Sequence, residues 1–347
     1  MLVAANLFRV SFMRSGGVLL AVFSGACNGL FTTPMKMQAR WKWENLWLVF
    51  ILVACLLMPV VIVLSSIPQW RQLLSHAPPG ALAAALGFGF AWGFGAISFG
   101  QSVHSLGISI ANSLVIGLSS ALGSLVPLLM SGHVDLSAKV WTLLAGIAAF
   151  LVGVALCGQA GLLRDRRATD EVHSPSSTRG YLFAIAAGVM SAIFNIGFTL
   201  ARPIASAGMS MGLSEFAATN CIWLLMLGAG SIPNIVYCVY LMRRNRTGDL
   251  LFTSGAAVGW LSGLIMGLLW GGSIFLYGAA VAKLGDIGPS IGWPLSLAVG
   301  LLIANGMGLL LREWKEAGAR AVALMRWGLL TLLVAIALCA ASSRVSG

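Results

Sequence analysis

Six residues with useful side chains pair off at fixed offsets along this chain: Asn28 with Asn195, Trp92 with Trp270, and Phe99 with Tyr277. A carboxamide both donates and accepts hydrogen bonds. An aromatic face offers a broad apolar surface, and a tyrosine adds a hydroxyl. Together they suit a small polar solute: rings stack on the apolar side of a pyranose while amides and hydroxyls hold its edge. Trp92 and Phe99 are seven residues apart, as are Trp270 and Tyr277, so each pair shares one side of a helix. Asn112 sits about one turn into an expected helix, near the partly positive N-terminus. Trp293, beside Pro294, adds a further ring. The competing reading is structural, with amides bonding neighbouring helices and rings filling helix crossings. Residue types alone leave both open.

Acid–base chemistry has fewer candidates. A proton carrier inside a membrane is normally a carboxylate or histidine. Glu44 lies beside Lys42, Trp43 and Trp47, a setting that also suits an interfacial anchor. Glu215 enters the seventh apolar run and Asp286 lies between the eighth and ninth, on the side expected to face outward, where an external proton could reach them.

These residues need elements to hold them. Of 347 residues, 59% are hydrophobic and 9% charged, against roughly 25% charged in a soluble domain. Lipid is therefore the solvent for most of the chain, and a bilayer admits only helices or closed barrels. Apolar runs of about 20 residues without period-two alternation select helices. Ten spans are expected, at 16–35, 46–66, 81–103, 108–131, 138–160, 180–202, 214–241, 256–282, 288–311 and 322–341. The first does not end in a small-residue cleavage site and reads as a span, not a leader. The connection from His104 to Gly107 makes spans three and four a tight hairpin.

The net charge of +11 arises from basic residues in short loops, which favours headgroups and orientation signals over nucleic acid. The loops after spans one, five, seven and nine are the richer in Lys and Arg, so they are expected to be cytoplasmic and both termini to face outward. The six cysteines all fall in apolar spans without a CxxC pair, which argues against a disulfide framework or metal site. Nothing calls for a cofactor.

An internal repeat organises the whole. Ser24, Asn28, Phe31 and Thr32 match Ser191, Asn195, Phe198 and Thr199 at an offset of 167. Spans three–four match spans eight–nine at 178, through Trp92-Gly93 with Trp270-Gly271 and Leu106-Gly107 with Leu284-Gly285. The fold expected is therefore all-α and integral to the membrane, ten transmembrane helices as an inverted repeat of two five-helix halves. The halves are 1–160 and 180–347, joined by a charged cytoplasmic linker at 161–179. Five spans per half invert the second half, a design recurrent in secondary transporters whose sites lie where the halves meet.

The pattern resembles the L-rhamnose-proton symporter family of the drug/metabolite transporter superfamily. The resemblance rests on Pro34 and Lys36, the run Trp41-Lys42-Trp43-Glu44-Asn45-Leu46-Trp47, Trp92-Gly93-Phe94-Gly95, Leu106-Gly107, and Glu313-Trp314 with Ala317-Gly318. It implies ten helices and proton-driven uptake of a deoxyhexose across a bacterial inner membrane. L-Rhamnose or a related sugar, a proton and the bilayer would be the partners; the oligomeric state stays open. Departures fall at Ala96, Ser98 and Phe99, where such symporters look more polar, at His104 in place of an Arg, and at Ser273 in place of a larger amide. These are potential cavity positions, so transport class carries over more readily than rhamnose itself. An exporter or exchanger of another metabolite is the alternative. An enzyme would need clustered catalytic groups, and His76, His104, His133 and His173 are scattered.

Overall fold

The structure is a computed structural model. It describes residues 2–37, 40–106, 108–132, 137–168, 178–310, 314–315 and 317–343, without the side chains of 2–14, 36–37, 100, 103–104, 108–110 and 165–168. Every regular element among them is helical: α1 (Leu2–Leu30), α2 (Thr33–Met37), α3 (Trp43–Ile51), α4 (Met58–Ser66), α5 (Trp70–His76), α6 (Pro79–Leu106), α7 (Ile108–Met130), α8 (Ala138–Ala168), α9 (Thr178–Ser210), α10 (Glu215–Asn245), α11 (Ala256–Leu284), α12 (Gly288–Leu310) and α13 (Ala319–Ser342). Ten helical stretches among the described residues are long and apolar enough to cross a membrane. The protein is a multi-pass membrane protein.

The expected spans are all found, with ends that differ for physical reasons. The second span begins at Trp43 because Glu44 in the first helical turn favours a helix N-terminus. It continues through a π-helical stretch, Leu52–Leu57, into α4. Pro59 lacks an N–H, so the carbonyl four residues earlier loses its partner and the ladder widens, Met58 N–H bonding Val53 O. The sixth span runs past Arg202 and Pro203 to Ser210. The fifth helix runs to Ala168, beyond the expected boundary at 160. Residues 169–177 of the linker, with Asp170, Glu171 and Pro175, lie outside the described residues, as do Gly107, His133, Arg312, Glu313 and Arg344.

Packing follows a crossed scheme. α1 lies against α11 and α12, while α9 lies against α6 and α7; α8 pairs with α13, α7 meets α12, and α10 packs on α3, its π-helical continuation and α4. Glycines allow the closest approaches. On α11, Gly259, Gly263 and Gly267 recur every four residues, and a Cβ on any of them would lie within 2.7 Å of Trp41, Val49 or Val53 respectively.

Alternate turns gather at opposite ends of the bundle. At one end Arg40 Nη1 donates to Ser254 O (3.3 Å) and Asn45 Nδ2 to Thr247 O (2.8 Å), and the Arg164 guanidinium lies 4.9 Å from the Trp314 ring centroid. At the other, Gly17 of α1 abuts Lys283 and Leu284, and Arg202 pairs with Glu215.

Candidate functional site

A continuous run of aromatic rings threads the bundle between these ends. Trp43 stacks on Trp47 (centroids 5.0 Å apart), and Trp47 meets Phe50 at 4.8 Å. Phe50 meets Trp270 edge-on at 5.6 Å, and Trp270 stacks on Trp92 at 5.3 Å and 13°. From Trp92 the run continues to Phe194 (4.9 Å), Trp223 (5.7 Å) and Phe198, which lies parallel to Trp223 at 4.3 Å and 4°. Tyr277 and Trp293 complete it, in T-shaped contact at 5.5 Å.

Trp92 and Trp270 sit midway along α6 and α11, both half-buried. Two indole faces there are large, stiff and apolar, with ring nitrogens to spare for a hydroxyl. Asn28, on α1, is also half-buried. Its amide nitrogen lies 3.3 Å from where a Cβ on Gly300 would stand, so it faces α12. Among the described residues Asn28 has no hydrogen-bond partner, and its amide is available to a ligand.

Asn195 is placed differently. It is fully buried, and its Nδ2 donates to Gly123 O of α7 (2.6 Å) and to Pro289 O of α12 (3.3 Å). Its Oδ1 accepts from the Tyr277 hydroxyl of α11. Trp293 Nε1 donates to Ser119 O (3.1 Å) beside this junction. One side chain thus ties α9 to three helices. The repeat-related serines behave alike: Ser24 Oγ donates to Ser273 O (2.8 Å) and is bonded to Ser296 Oγ (2.9 Å), while Ser191 Oγ accepts from Ser119 Oγ (2.8 Å). The predicted residues therefore fall into two groups, the Trp92–Trp270 stack and the Asn195–Tyr277–Trp293 junction. Asn28 stands apart from that junction, and Ser98 and Asn112 are half-buried outside both groups.

The carboxylates also separate. Glu44 is 5% exposed and accepts from Asn245 Nδ2 and Thr247 Oγ1, both at 2.9 Å. It clamps the turn after α10 onto the start of α3. Glu215 pairs with Arg202 at 3.7 Å, and Arg202 Nη1 donates to the backbone O of Asp286 (3.3 Å).

Sequence reading missed Trp47, Phe50, Phe194, Phe198 and Trp223 as members of the ring series. Their spacing carried a signal, since Trp43, Trp47 and Phe50 stand at i, i+4 and i+7, and Phe194 and Phe198 at i and i+4. Arg202, the last residue of the expected sixth span, was not singled out for a site.

Comparison with known proteins is consistent over more than nine-tenths of the chain. The family described as L-rhamnose-proton symport protein (RhaT) matches residues 13–343. An L-rhamnose-proton symporter of Yersinia pestis (strain Pestoides F) is 26% identical over 328 residues, 92% of this chain and 95% of that protein. One of Cronobacter sakazakii (strain ATCC BAA-894) is 28% identical over 329 residues, again 92% and 95%. A solved crystal structure at 13% identity superposes with a TM-score of 0.59 over 94% of this chain and 98% of its own, a likeness of fold.

Proposed function

Since this chain belongs to the L-rhamnose-proton symport protein family, we propose that it is a secondary active transporter that takes up L-rhamnose or a related deoxy sugar together with a proton. The observation that carries the reading within the molecule is the half-buried Trp92–Trp270 stack at mid-bundle. The two rings cover each other in this structure; an indole face released from that stack is the platform a pyranose needs, with the open amide of Asn28 as the polar complement. Ser98 and Asn112 are the further lining candidates. Asn195, Tyr277 and Trp293 act one step removed, as the closure of the Asp286 end.

The crossed packing supports an inverted repeat of halves 1–160 and 180–347, with 161–179 between them. α1 on α11 and α12 has its counterpart in α9 on α6 and α7, and α3 on α11 in α10 on α6. Two such halves can exchange roles, which is the geometric basis of alternating access. The excess of Lys and Arg in its turns supports a cytoplasmic Arg40 and Arg164 end in a bacterial cell, with both termini outside. Proton coupling falls to Glu215 and Asp286 at the outer end. Glu44 has two neutral donors in a clamp and serves the fold.

The test is L-rhamnose uptake into proteoliposomes under an inward proton gradient, and again with the gradient collapsed by an ionophore. Accumulation that depends on the gradient is expected. Transport of rhamnose without gradient dependence would favour an exchanger, and no transport of rhamnose would overturn the substrate.

A further inference from the structure

We propose that Arg202 is the positioning residue that ties protonation of Glu215 to opening of the outer end, a role that rests on the symport reading above. Arg202 stands seven residues beyond Asn195 on α9, so the two share a face about 10 Å apart along the axis. Both make the same kind of junction. Asn195 ties α9 to α7, α11 and α12. Arg202 ties it to the first turn of α10 through Glu215 (3.7 Å) and to the turn between α11 and α12 through Asp286 O (3.3 Å). The outer end is thus closed by two successive rungs on one helix.

Three features make the outer rung the releasable one. The Arg202 and Glu215 side chains are 30% and 34% exposed, so protons reach them. Next in sequence is Pro203, inside α9, which offers no N–H to the carbonyl of Thr199 and weakens the helix between the rungs. And the guanidinium reaches Asp286 O while Glu215 holds it from the other side. The charged groups facing Glu215 are Arg202 from α9 and Asp286 from the turn after α11. Lys283 lies against Gly16 and Gly17 of α1, and α4, which also packs on α10, has no ionisable side chain. Protonation of a Glu215 oxygen neutralises the carboxylate, dissolves the ion pair and leaves Arg202 free to quit Asp286, so the outer half of α9 can move.

The experiment compares gradient-driven L-rhamnose accumulation with rhamnose counterflow, across external pH, in the wild type, Arg202→Gln, Arg202→Lys and Glu215→Gln. In Arg202→Gln accumulation should be lost while counterflow persists and no longer depends on pH. Arg202→Lys should regain part of the accumulation. A wild-type pH profile in Arg202→Gln, or loss of counterflow together with accumulation, would overturn the role. A second measurement needs no sugar: alkylation of Ser290→Cys by an impermeant maleimide added outside. Ser290 is fully buried in the first turn of α12. Labelling, expressed relative to the same thiol in unfolded protein at each pH because the thiolate is the nucleophile, should rise at acid pH with wild-type Glu215 and be high at every pH with Glu215→Gln. Labelling indifferent to pH and to that substitution would overturn the rung, whatever the substrate proves to be.

Discussion

Trp92 and Trp270 stack face to face, 5.3 Å between centroids and 13° from parallel, although they come from helices at corresponding places in the two halves of the chain. In the inverted repeat proposed above, a residue touches its own counterpart only near the axis that relates the halves. That axis is where neither conformation of an alternating transporter moves much, and where a solute can be held while access to it switches. The stack is therefore expected to bind and not to gate.

Removing one ring should weaken sugar binding and leave turnover largely intact. An aromatic contact adds about 0.5–1.5 kcal/mol beyond area burial, so Trp92→Ala or Trp270→Ala should raise KM for uptake roughly two- to tenfold. Trp→Phe at either position should recover much of the loss. Concentration-dependent uptake under a fixed proton gradient reads both values; an unchanged KM in both alanine variants would remove the stack from the binding site.

The two repeat-related asparagines should separate in behaviour. Asn28 is half-buried and has no hydrogen-bond partner among the described residues, so Asn28→Ala loses one ligand hydrogen bond, about 0.5–1.5 kcal/mol, and KM should rise roughly two- to tenfold without loss of thermal stability. Asn195→Ala strands the carbonyl of Gly123, whose intrahelical partner would be Pro127, and the hydroxyl of Tyr277, at about 1–3 kcal/mol for each group left buried and unpaired. It should lower the melting temperature in detergent markedly. Equal effects of the two substitutions on KM and on melting would contradict this division.

That division was not readable from sequence, and the reason is physical. Span positions follow from hydropathy, which is a local sum, so all ten were found with errors confined to their ends. Pro203 and Arg202 looked like a boundary, yet α9 continues to Ser210 because a proline costs a membrane helix only one bond that neighbours can relieve. Residue pairing is not local. The repeat identified Asn28 and Asn195 as equivalents, but the partner that occupies Asn195 is Tyr277, on another helix in the same half. In the inverted repeat proposed above, two halves in different conformations treat equivalent residues differently, and sequence holds no record of which state is populated. Arg202 was overlooked for a related reason: a charge at a span end is an orientation signal by default, and its ties to Glu215 and Asp286 exist only in three dimensions.

Glu44 should prove structural. Its Oε1 accepts from Asn245 and Thr247, and a glutamine can still accept there. Glu44→Gln should keep gradient-driven accumulation with an unshifted pH profile. Glu44→Ala leaves the buried Thr247 hydroxyl without its acceptor at about 1–3 kcal/mol, while water can serve the exposed Asn245 amide, and should lower thermal stability. Loss of proton dependence in Glu44→Gln, with counterflow intact, would instead move the coupling site to the Arg40 end.

The hydroxyl of Tyr277 gives the most direct access to the conformational equilibrium. In the state described here it donates to a fully buried Asn195 amide. Tyr277→Phe keeps the ring contacts with Phe198, Trp223 and Trp293 and removes only that donor. The stranded Asn195 oxygen costs about 1–3 kcal/mol while this end is closed, and nothing once the end opens and water reaches it. A substitution shifts an equilibrium by its differential effect on the two states, and 1.4 kcal/mol is about tenfold. Tyr277→Phe should therefore favour the outward-open state by roughly one order of magnitude. Impermeant maleimide should label Ser290→Cys from outside correspondingly faster, and maximal uptake should fall because the return step slows. If Tyr277→Phe merely lowers the melting temperature and leaves labelling unchanged, the Asn195–Tyr277 bond is packing that persists in both states, and closure of the outer end rests on Arg202 alone.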